Sequence, residues 1–453
     1  MSRIPVKLVS QGGEVGRHWR NSNLYVPTNT DFVAGLLPMT GAEYADAISG
    51  SQPSFAYDFT ASQINPVKGG GTTSVSTSAN GTYVNSAGLI TQNSANAARF
   101  DYDPLTLAIK GLLVEEARTN LCVRSSEFDN AAWVKVSATV TANAVASPDG
   151  TAIADKLVEA AANAQHYILQ SITTTATSHT FSVYAKAAER TWIFLQWDNP
   201  ACGRYFNLAT GAMGSATGAG GTSTITDAGN GWYRCTLTFT GVVATPAAYV
   251  MLSTGDGVTG YLGDGASGAY IFGAQLEAGS SASSYIPTAA ASVTRAADDI
   301  SIALGSWFSA AAGTILAEFI FSTAPAAGRF NWVTTFSDNT LNERIQILRF
   351  EAAASPHLQV VDGGVELVNI NNSLALNANT THKAAAAYAL NDFAISGNGA
   401  AVATDATGTL PTVTTLHIGK LSSGSASYVN GHIRRITYWP YRLSNAALVA
   451  LSA

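Results

Sequence analysis

The sequence predicts an all-β protein with two antiparallel β-sandwich (jelly-roll) domains in tandem, preceded by an irregular N-terminal arm and a small β region. Apolar and polar residues alternate over short runs, and these runs are separated by clusters of Gly, Asn and Thr. The chain has 453 residues, enough for two to four domains at roughly 100–200 residues each. Antiparallel sandwiches therefore fit better than a parallel α/β sheet.

The first part of the chain is expected to attach the protein rather than to carry chemistry. Residues 1–50 are predicted to form an irregular arm with one short helix, because Thr40 and Glu43 form a capping box and Gly50 suits the helix end. The arm has an excess of basic residues, which suits either docking on an acidic partner or a solvated tail. Residues 51–121 are predicted to be a small β region, whose few short strands pair with a later domain or fold alone.

Two larger β segments follow. Residues 122–297 are predicted to be a jelly roll, with strands at 180–185, 192–197 and 233–239. Residues 298–453 are predicted to be a second sandwich, with strands at 314–321, 344–350 and 432–439. A short terminal helix is expected after Ser444, which is a favourable N-cap.

The composition disfavours several classes of partner. Charged residues are 12% of the chain and the net charge is −6, so no basic field attracts nucleic acid. The start has no signal-peptide pattern, and no apolar run of about 18 residues predicts membrane insertion. Cys122, Cys202 and Cys235 are odd in number and lack metal-ligand spacing, so buried thiols are favoured over a disulfide. Synthesis in a reducing cytoplasm fits this pattern.

Motifs for catalysis or cofactor binding do not stand out. The sequence lacks H-E-x-x-H, G-x-S-x-G and the E-x-D-x-x-E strand of concanavalin-like glycosidases, so no catalytic residue, cofactor or metal is predicted. Asp256 and Asp264 invite calcium, but Asp-Gly turns explain them without a calcium-loop pattern. Glu318 and Glu343 are candidates for a carboxylate pair across a sheet, which leaves polysaccharide cleavage as an alternative.

Three stretches of sequence carry a resemblance. The first comprises TYVNSAGL at 82–89, NAARFDYDP at 96–104 and GLLVEEARTNL at 111–121. The second runs from SEFDNAAW at 126–133 through GWYRC at 231–235 and FGAQLEAG at 272–279 to SYIPT at 284–288. The third is GHIRRITYW at 431–439 with RLSNAAL at 442–448.

Together these stretches resemble the modular tail-fibre and head-spike proteins of tailed bacteriophages and gene transfer agents. The second stretch is similar to carbohydrate-binding jelly rolls, and the third to a concanavalin-like, laminin-G-type domain. The resemblance implies a virion protein, made in the host cytoplasm and released with the particle, that is homo-oligomeric and adsorbs to host surface polysaccharide. It leaves open whether residues 1–50 dock on a head or a tail protein.

Sugar-binding faces need aromatic rings for the apolar side of a pyranose and polar groups for its hydroxyls. Alternation places Trp192 and Gln196 on one face of their strand. The predicted jelly-roll face is completed by residues of neighbouring segments, and its members are Tyr184, Lys186, Trp192, Gln196 and Arg204. The predicted face of the last domain consists of Asn331, Trp332, Arg344 and Gln346. Ordinary sheet packing is the competing interpretation of both sets.

The sequence thus favours a glycan-binding adhesin with several weak faces, multiplied by oligomerisation on a particle. Two alternatives stay open. One is a capsule depolymerase, and the other is a structural decoration protein of the capsid.

Overall fold

The computed structural model describes residues 52–174, 178–198, 201–218, 221–241, 247–322, 330–350, 355–422 and 428–453. Over these residues the chain is built almost entirely from antiparallel strands, which confirms the predicted fold class. The predicted attachment arm, with its capping box at Thr40 and Glu43, lies outside the described residues. None of the helices in the described parts is long and apolar enough to cross a membrane.

The strands are numbered in chain order. The first group is β1 (Phe55–Asp58), β2 (Ser74–Ser76), β3 (Thr82–Val84), β4 (Ile90–Gln92), β5 (Phe100–Tyr102), β6 (Ile109–Val114) and β7 (Arg118–Asn120). The second group is β8 (Val134–Val136), β9 (Ala138–Val145), β10 (Ala154–Glu159), β11 (Asn163–Gln165), β12 (Tyr167–Ser171), β13 (Ser178–Ala187), β14 (Trp192–Asp198), β15 (Ala201–Asn207), β16 (Ala212–Thr217), β17 (Thr222–Asp227), β18 (Trp232–Thr240), β19 (Ala247–Ser253), β20 (Gly260–Leu262) and β21 (Gly268–Ala278).

The third group is β22 (Val293–Arg295), β23 (Asp299–Ala303), β24 (Ala312–Phe321), β25 (Phe330–Ser337), β26 (Arg344–Phe350), β27 (Pro356–Asp362), β28 (Val365–Asn371), β29 (His382–Ala389), β30 (Asp392–Gly397), β31 (Ala403–Asp405), β32 (Thr415–Ile418) and β33 (Gly431–Trp439). Helix α1 (Asn445–Ser452) follows, and the Ser444 side chain accepts a hydrogen bond from the Ala447 N–H, as its N-cap prediction requires. Short turn-separated strands dominate because β-branched and aromatic residues alternate with polar ones throughout.

The jelly roll is a sandwich of two six-stranded sheets. One sheet has the order β17-β18-β13-β21-β10-β9, and the other has the order β16-β15-β14-β19-β12-β8. Their facing sides enclose a core that includes Leu195, Trp197 and Phe206. Cys122, Cys202 and Cys235 are buried in the same core as free thiols, so they pack as small apolar side chains.

The second sandwich draws its strands from both ends of the described chain. Its first sheet has the order β31-β30-β29-β24-β33-β6-β5, with β1 also paired to β33. Its second sheet has the order β2-β23-β32-β25-β26-β27-β28. Strands β1, β2, β5 and β6 therefore complete sheets that the sequence assigned to 298–453. The β region 51–121 belongs to this sandwich and is not a separate unit, and we call the whole the C-terminal sandwich.

The jelly roll is consequently an insertion within the C-terminal sandwich. Strand β7 leads into the jelly roll, β22 leads out of it, and these two strands pair antiparallel with Thr119 opposite Thr294. The entering and leaving chain segments thus lie side by side.

A buried ion cluster lies next to this pairing. Arg99 contacts both Glu115, at 2.7 Å between Nη1 and Oε2, and Asp298, and all three side chains are almost fully buried. The jelly-roll segment also takes part, since the Ser284 N–H and hydroxyl donate to the Glu115 carboxylate at 2.8 and 2.7 Å. Charges removed from water are tolerated only when they are paired and hydrogen-bonded, which this cluster achieves across the junction of the two sandwiches.

Candidate functional site

Strand β14 sends its two sets of side chains to opposite sides of its sheet. Ile193, Leu195 and Trp197 lie in the jelly-roll core, so Trp192 and Gln196 lie on the outer side, where both are half-buried. This is the orientation predicted from the alternation.

Neighbouring strands add two tyrosines to that outer side. Gln196 lies opposite Tyr249 of β19. Tyr167 of β12 lies diagonally across from Tyr249, and the centroids of the two tyrosine rings are 5.4 Å apart. Both tyrosines are half-buried. We call the surface formed by Tyr167, Trp192, Gln196 and Tyr249 the aromatic face.

On the same outer side, the rings of the aromatic face pack against a buried row of Phe194, Tyr205 and Met251. The Phe194 ring lies over Gly203, where an added Cβ would come within 2.2 Å of the ring, so only glycine leaves room for this packing. At one end, the Asp256 carboxylate accepts hydrogen bonds from the Ser215 N–H and hydroxyl at 2.7 and 2.9 Å. The buried row and this loop therefore hold the aromatic rings in place without a ligand.

The chemistry of the aromatic face suits an uncharged, partly apolar ligand. Half-exposed rings offer apolar surface for the CH-bearing side of a sugar, and the Gln196 amide offers a donor and an acceptor for hydroxyls. A shallow face of this kind binds weakly on its own, because it removes little ligand surface from water.

Three residues predicted for this face lie elsewhere. Strand β13 belongs to the opposite sheet, so Tyr184 and Lys186 cannot join Trp192. Tyr184 is buried among Trp232, Phe272 and Tyr285, and the Lys186 ammonium donates to the Asn230 carbonyl at 2.8 Å.

Arg204 is the third of these residues. It lies opposite the core residue Leu195 and therefore points to the other side of the sheet from Trp192 and Gln196. Its guanidinium donates to the Gly214 carbonyl at 2.9 Å. The placement of these three residues on one face with Trp192 was wrong, because alternation gives neither the sheet that β13 joins nor the register of β15 beside β14.

The four residues predicted to form a face of the last domain also lie on two different sides of their sheet. Trp332, Arg344 and Gln346 share the outer side of the seven-stranded sheet, whereas Asn331 lies on the other side and donates to the Val429 carbonyl at 2.9 Å. Trp332 is 5% exposed and Gln346 is fully buried, so neither presents a surface to a ligand. Only Arg344 is half-buried, and its guanidinium donates to the Leu341 carbonyl.

Gln346 instead belongs to a polar ladder across three strands. Its amide donates to Gln359, and the Gln359 amide donates to Glu366. Side-chain amides paired in this way stabilise neighbouring strands through hydrogen bonds that replace those to water. The interpretation as sheet packing therefore describes Gln346 better than sugar binding does.

Tyr167 and Tyr249 were missed in the sequence. Each occupies an outward position in its own strand, with Ile168 and Val250 next to it in the core. Their alternation was visible, but the adjacency of β12, β19 and β14 depends on pairing between residues more than 50 positions apart. Local pattern alone does not contain this pairing.

The acidic residues considered in the sequence are engaged in the fold. Asp264 accepts hydrogen bonds within its own turn, from the Ala266 and Ser267 N–H groups. Glu318 belongs to the eight-stranded sheet and pairs with Arg434 and Arg435, whereas Glu343 precedes β26 of the other sheet. Among the described residues, no group of three His, Cys, Asp or Glu side chains is placed to hold a metal ion.

Comparison with known proteins finds only distant structural similarity. No family model and no curated protein sequence matches the chain. Among solved structures, the CBM40 of Ruminococcus gnavus IT-sialidase bound to α2,3-sialyllactose has a TM-score of 0.28 and 15% identity, over 32% of this chain and 84% of that chain.

The NanB sialidase from Streptococcus pneumoniae has a TM-score of 0.27 and 14% identity, over 31% of this chain and 23% of that chain. A pentraxin from Limulus polyphemus has a TM-score of 0.25 and 10% identity, over 32% of this chain and 73% of that chain. Similarity at this level does not transfer a ligand or an activity to this chain.

Proposed function

We propose that this chain is a non-enzymatic adhesin that attaches a phage-like particle to bacterial surface polysaccharide. The observation that carries the proposal is the aromatic face, on which the half-buried side chains of Trp192, Tyr167, Tyr249 and Gln196 lie on one outer side of the same sheet. The sequence resemblance to tail-fibre and head-spike proteins supplies the biological setting, with residues 1–50 as the attachment segment.

The state of the acidic side chains favours binding over cleavage. A glycosidase of the common kind needs two carboxylates about 5–9.5 Å apart on either side of the scissile bond. Of the two candidates from the sequence, Glu318 is held by Arg434 and Arg435, and Glu343 accepts hydrogen bonds from two backbone N–H groups, so both carboxylates are engaged in the fold. A depolymerase would need acids without such partners.

Weak individual faces suit a particle that displays many copies. If each copy binds with a millimolar dissociation constant, simultaneous engagement of several copies raises the overall affinity by about 10²–10⁴. The proposal therefore includes homo-oligomerisation of the chain on the particle.

The test is retention of the full chain, presented in many copies on beads, by bacterial cells and by their purified surface polysaccharide. We expect retention of the wild type and about 5- to 30-fold weaker retention of Trp192→Ala, because the loss of one stacking ring costs about 1–2 kcal/mol. Trp192→Phe is the matched control, since it keeps an aromatic ring and should retain most of the binding.

Two results would contradict the proposal. One is the absence of retention for the multivalent wild type on every polysaccharide. The other is the release of new reducing ends from the polysaccharide, which would identify the chain as a depolymerase.

A further inference from the structure

A cleft of about 850 Å³ lies between the jelly roll and the C-terminal sandwich, away from the aromatic face. Its lining comes from both sandwiches and includes many Ser and Thr residues, together with Tyr83, Tyr184 and Tyr285. Neither the candidate sites considered above nor the packing of the two cores accounts for this cleft.

The jelly-roll wall of the cleft is a regular array of threonines. Ile225, Cys235 and Leu237 point into the core, so the residues between them point outward into the cleft. We call this array the threonine wall, and its members are Thr222, Thr224, Thr226, Thr236 and Thr238. The Thr224 and Thr236 hydroxyls lie 2.5 Å apart across β17 and β18. The Thr236 hydroxyl also accepts a hydrogen bond from the Thr224 N–H at 3.1 Å, so the exposed Thr224 hydroxyl has more capacity for a further partner.

The opposite wall comes from the eight-stranded sheet of the C-terminal sandwich. His432 lies there with its Nε2 at 2.9 Å from the Asp101 carboxylate, and the Lys110 ammonium lies 3.6 Å from the same carboxylate. Burial opposes ionisation of Asp101, but the hydrogen bond with His432 and the charge of Lys110 hold its pKa below the ordinary value. His432 is 6% exposed, and within the described structure its Nδ1 has no hydrogen-bond partner.

The cations that line the cleft already bind groups of the protein. The Arg434 guanidinium donates to Glu318 at 2.7 Å, and Arg234 donates to the Ser283 carbonyl at 2.7 Å. Lys110 has Asp101 as its neighbour. A cleft whose cations are engaged in this way has little to offer a carboxylate or sulfate, so its hydroxyl groups determine what it binds.

Close backbone contacts fix the shape of the cleft. The hairpin between β5 and β6 packs its Pro104 carbonyl against Gly229 of the jelly roll and against Gly88, where an added Cβ would lie 3.1 and 2.9 Å from that oxygen. Both glycines have positive φ, of 80° and 77°. The base of the cleft is closed by Ser284 and Glu115 of the buried ion cluster. The two walls are therefore held at a constant separation, which lowers the entropy cost of binding.

We propose that this cleft is a second glycan site, which takes a segment of uncharged oligosaccharide between the threonine wall and the wall of His432 and Lys110. That the ligand is a glycan rests on the proposed function. The inference adds where this glycan binds and that it is uncharged. Sugar hydroxyls would bridge threonine hydroxyls on one wall and bind the Lys110 ammonium on the other.

The experiment uses the full chain on a bacterial glycan array that contains neutral polysaccharides and polysaccharides with uronate or sialate residues. The neutral glycan that gives the strongest response is then titrated by calorimetry. We expect Thr224→Val with Thr236→Val to weaken this binding about tenfold, because two hydrogen bonds are lost. We also expect the affinity of the wild type to stay within about twofold between 0.05 and 0.5 M salt, because no ion pair forms.

Thr141→Val is the matched control. Thr141 is exposed on β9 of the same sheet and the same side as the threonine wall, but it does not line the cleft, so its variant should bind as the wild type does. Thr238→Trp, which fills the cleft, should abolish this binding and leave the circular dichroism spectrum unchanged.

The outcomes separate the two proposals. Unchanged binding by the threonine variants, or a response to anionic glycans alone, overturns the cleft as a neutral-glycan site, while loss of binding in Trp192→Ala would still support the aromatic face. Absence of response to any glycan overturns the proposed function and, with it, this inference.

Discussion

The two sandwiches have the same fold class, but one is built from a single continuous stretch of the chain and the other from two separate stretches. All the core residues of the jelly roll lie between Cys122 and Leu276, so this sandwich is continuous in sequence. The core of the C-terminal sandwich combines Phe55, Tyr57 and Leu112 with residues from Ile300 to Tyr438. A linker that looks like a domain boundary near residue 298 is therefore the end of an insertion rather than the start of an independent unit.

The outer faces of the two sandwiches differ in how much of their side chains is exposed to solvent. Trp192 and Gln196 of the jelly roll are half-exposed, whereas Trp332 and Gln346 of the C-terminal sandwich, the same two residue types on a comparable outer face, are buried. The comparison teaches that residue type and alternation select a face, while the neighbouring segments decide whether that face is open.

The largest effect is expected from cutting the chain at the apparent boundary. A fragment of residues 298–453 lacks β1, β2, β5 and β6, so it should show no cooperative thermal unfolding by circular dichroism. A fragment of residues 118–295 keeps the whole jelly-roll core and should unfold cooperatively. Cooperative unfolding of the 298–453 fragment would show that this sandwich folds without β1, β2, β5 and β6. The two sandwiches would then not differ in their need for a distant part of the chain.

The second largest effect is expected from substitutions at the junction of the two sandwiches, measured as a loss in the free energy of unfolding. Arg99→Met leaves Glu115 and Asp298 as buried carboxylates without their shared cation, and should lower the free energy of unfolding by about 3–5 kcal/mol in urea titrations. Arg118→Met removes a partly exposed pair with Glu116 and should cost no more than about 1 kcal/mol. Equal losses in the two variants would mean that the buried cluster does not hold the junction.

Trp332→Ala and Trp192→Ala sharpen the comparison of the outer faces. Trp332 is packed, so its removal should cost about 3 kcal/mol of stability and leave glycan retention intact once the protein is folded. The half-exposed Trp192 should cost under about 1.5 kcal/mol, and its variant should lose retention. Thermal unfolding measured beside bead retention separates the two effects, and the reverse pattern would place the open face on the C-terminal sandwich.

The smallest effect is expected when the pH is lowered and Glu115 becomes protonated, which lowers the free energy of unfolding. Burial opposes ionisation of Glu115, but Arg295, Arg99 and the hydrogen bonds from Ser284 lower its pKa in the folded chain well below the ordinary value of 4.5. A folded-state pKa below that of the unfolded chain means that the stabilisation is complete above about pH 4.5 and is lost as the pH falls further.

The wild type should therefore lose about 1–2 kcal/mol more stability than Glu115→Gln between pH 5 and 3, measured by urea unfolding at each pH. Glu116→Gln, in the more exposed neighbouring position, serves as the control and should follow the wild type. Parallel curves for the wild type and Glu115→Gln would contradict the assignment.

Local pattern was sufficient for much of the fold. The predicted strand at 344–350 coincides with β26, and Ser444 caps α1, because alternation and capping act over a few residues. The insertion was not predictable in this way, since β1 pairs with β33 across more than 370 residues of chain. For the candidate site, alternation correctly oriented Trp192 and Gln196, but it could not bring in Tyr249 or remove Tyr184, because both depend on which strands become neighbours.

The side-by-side strands β7 and β22 make the jelly roll an exchangeable cassette. Any module whose two ends leave its surface as one antiparallel pair meets the geometric requirement for joining the host sandwich at this point, without a change in the host sheets. A single recombination that replaces about 170 residues at this point would exchange the whole jelly roll while the strands of the C-terminal sandwich stay the same.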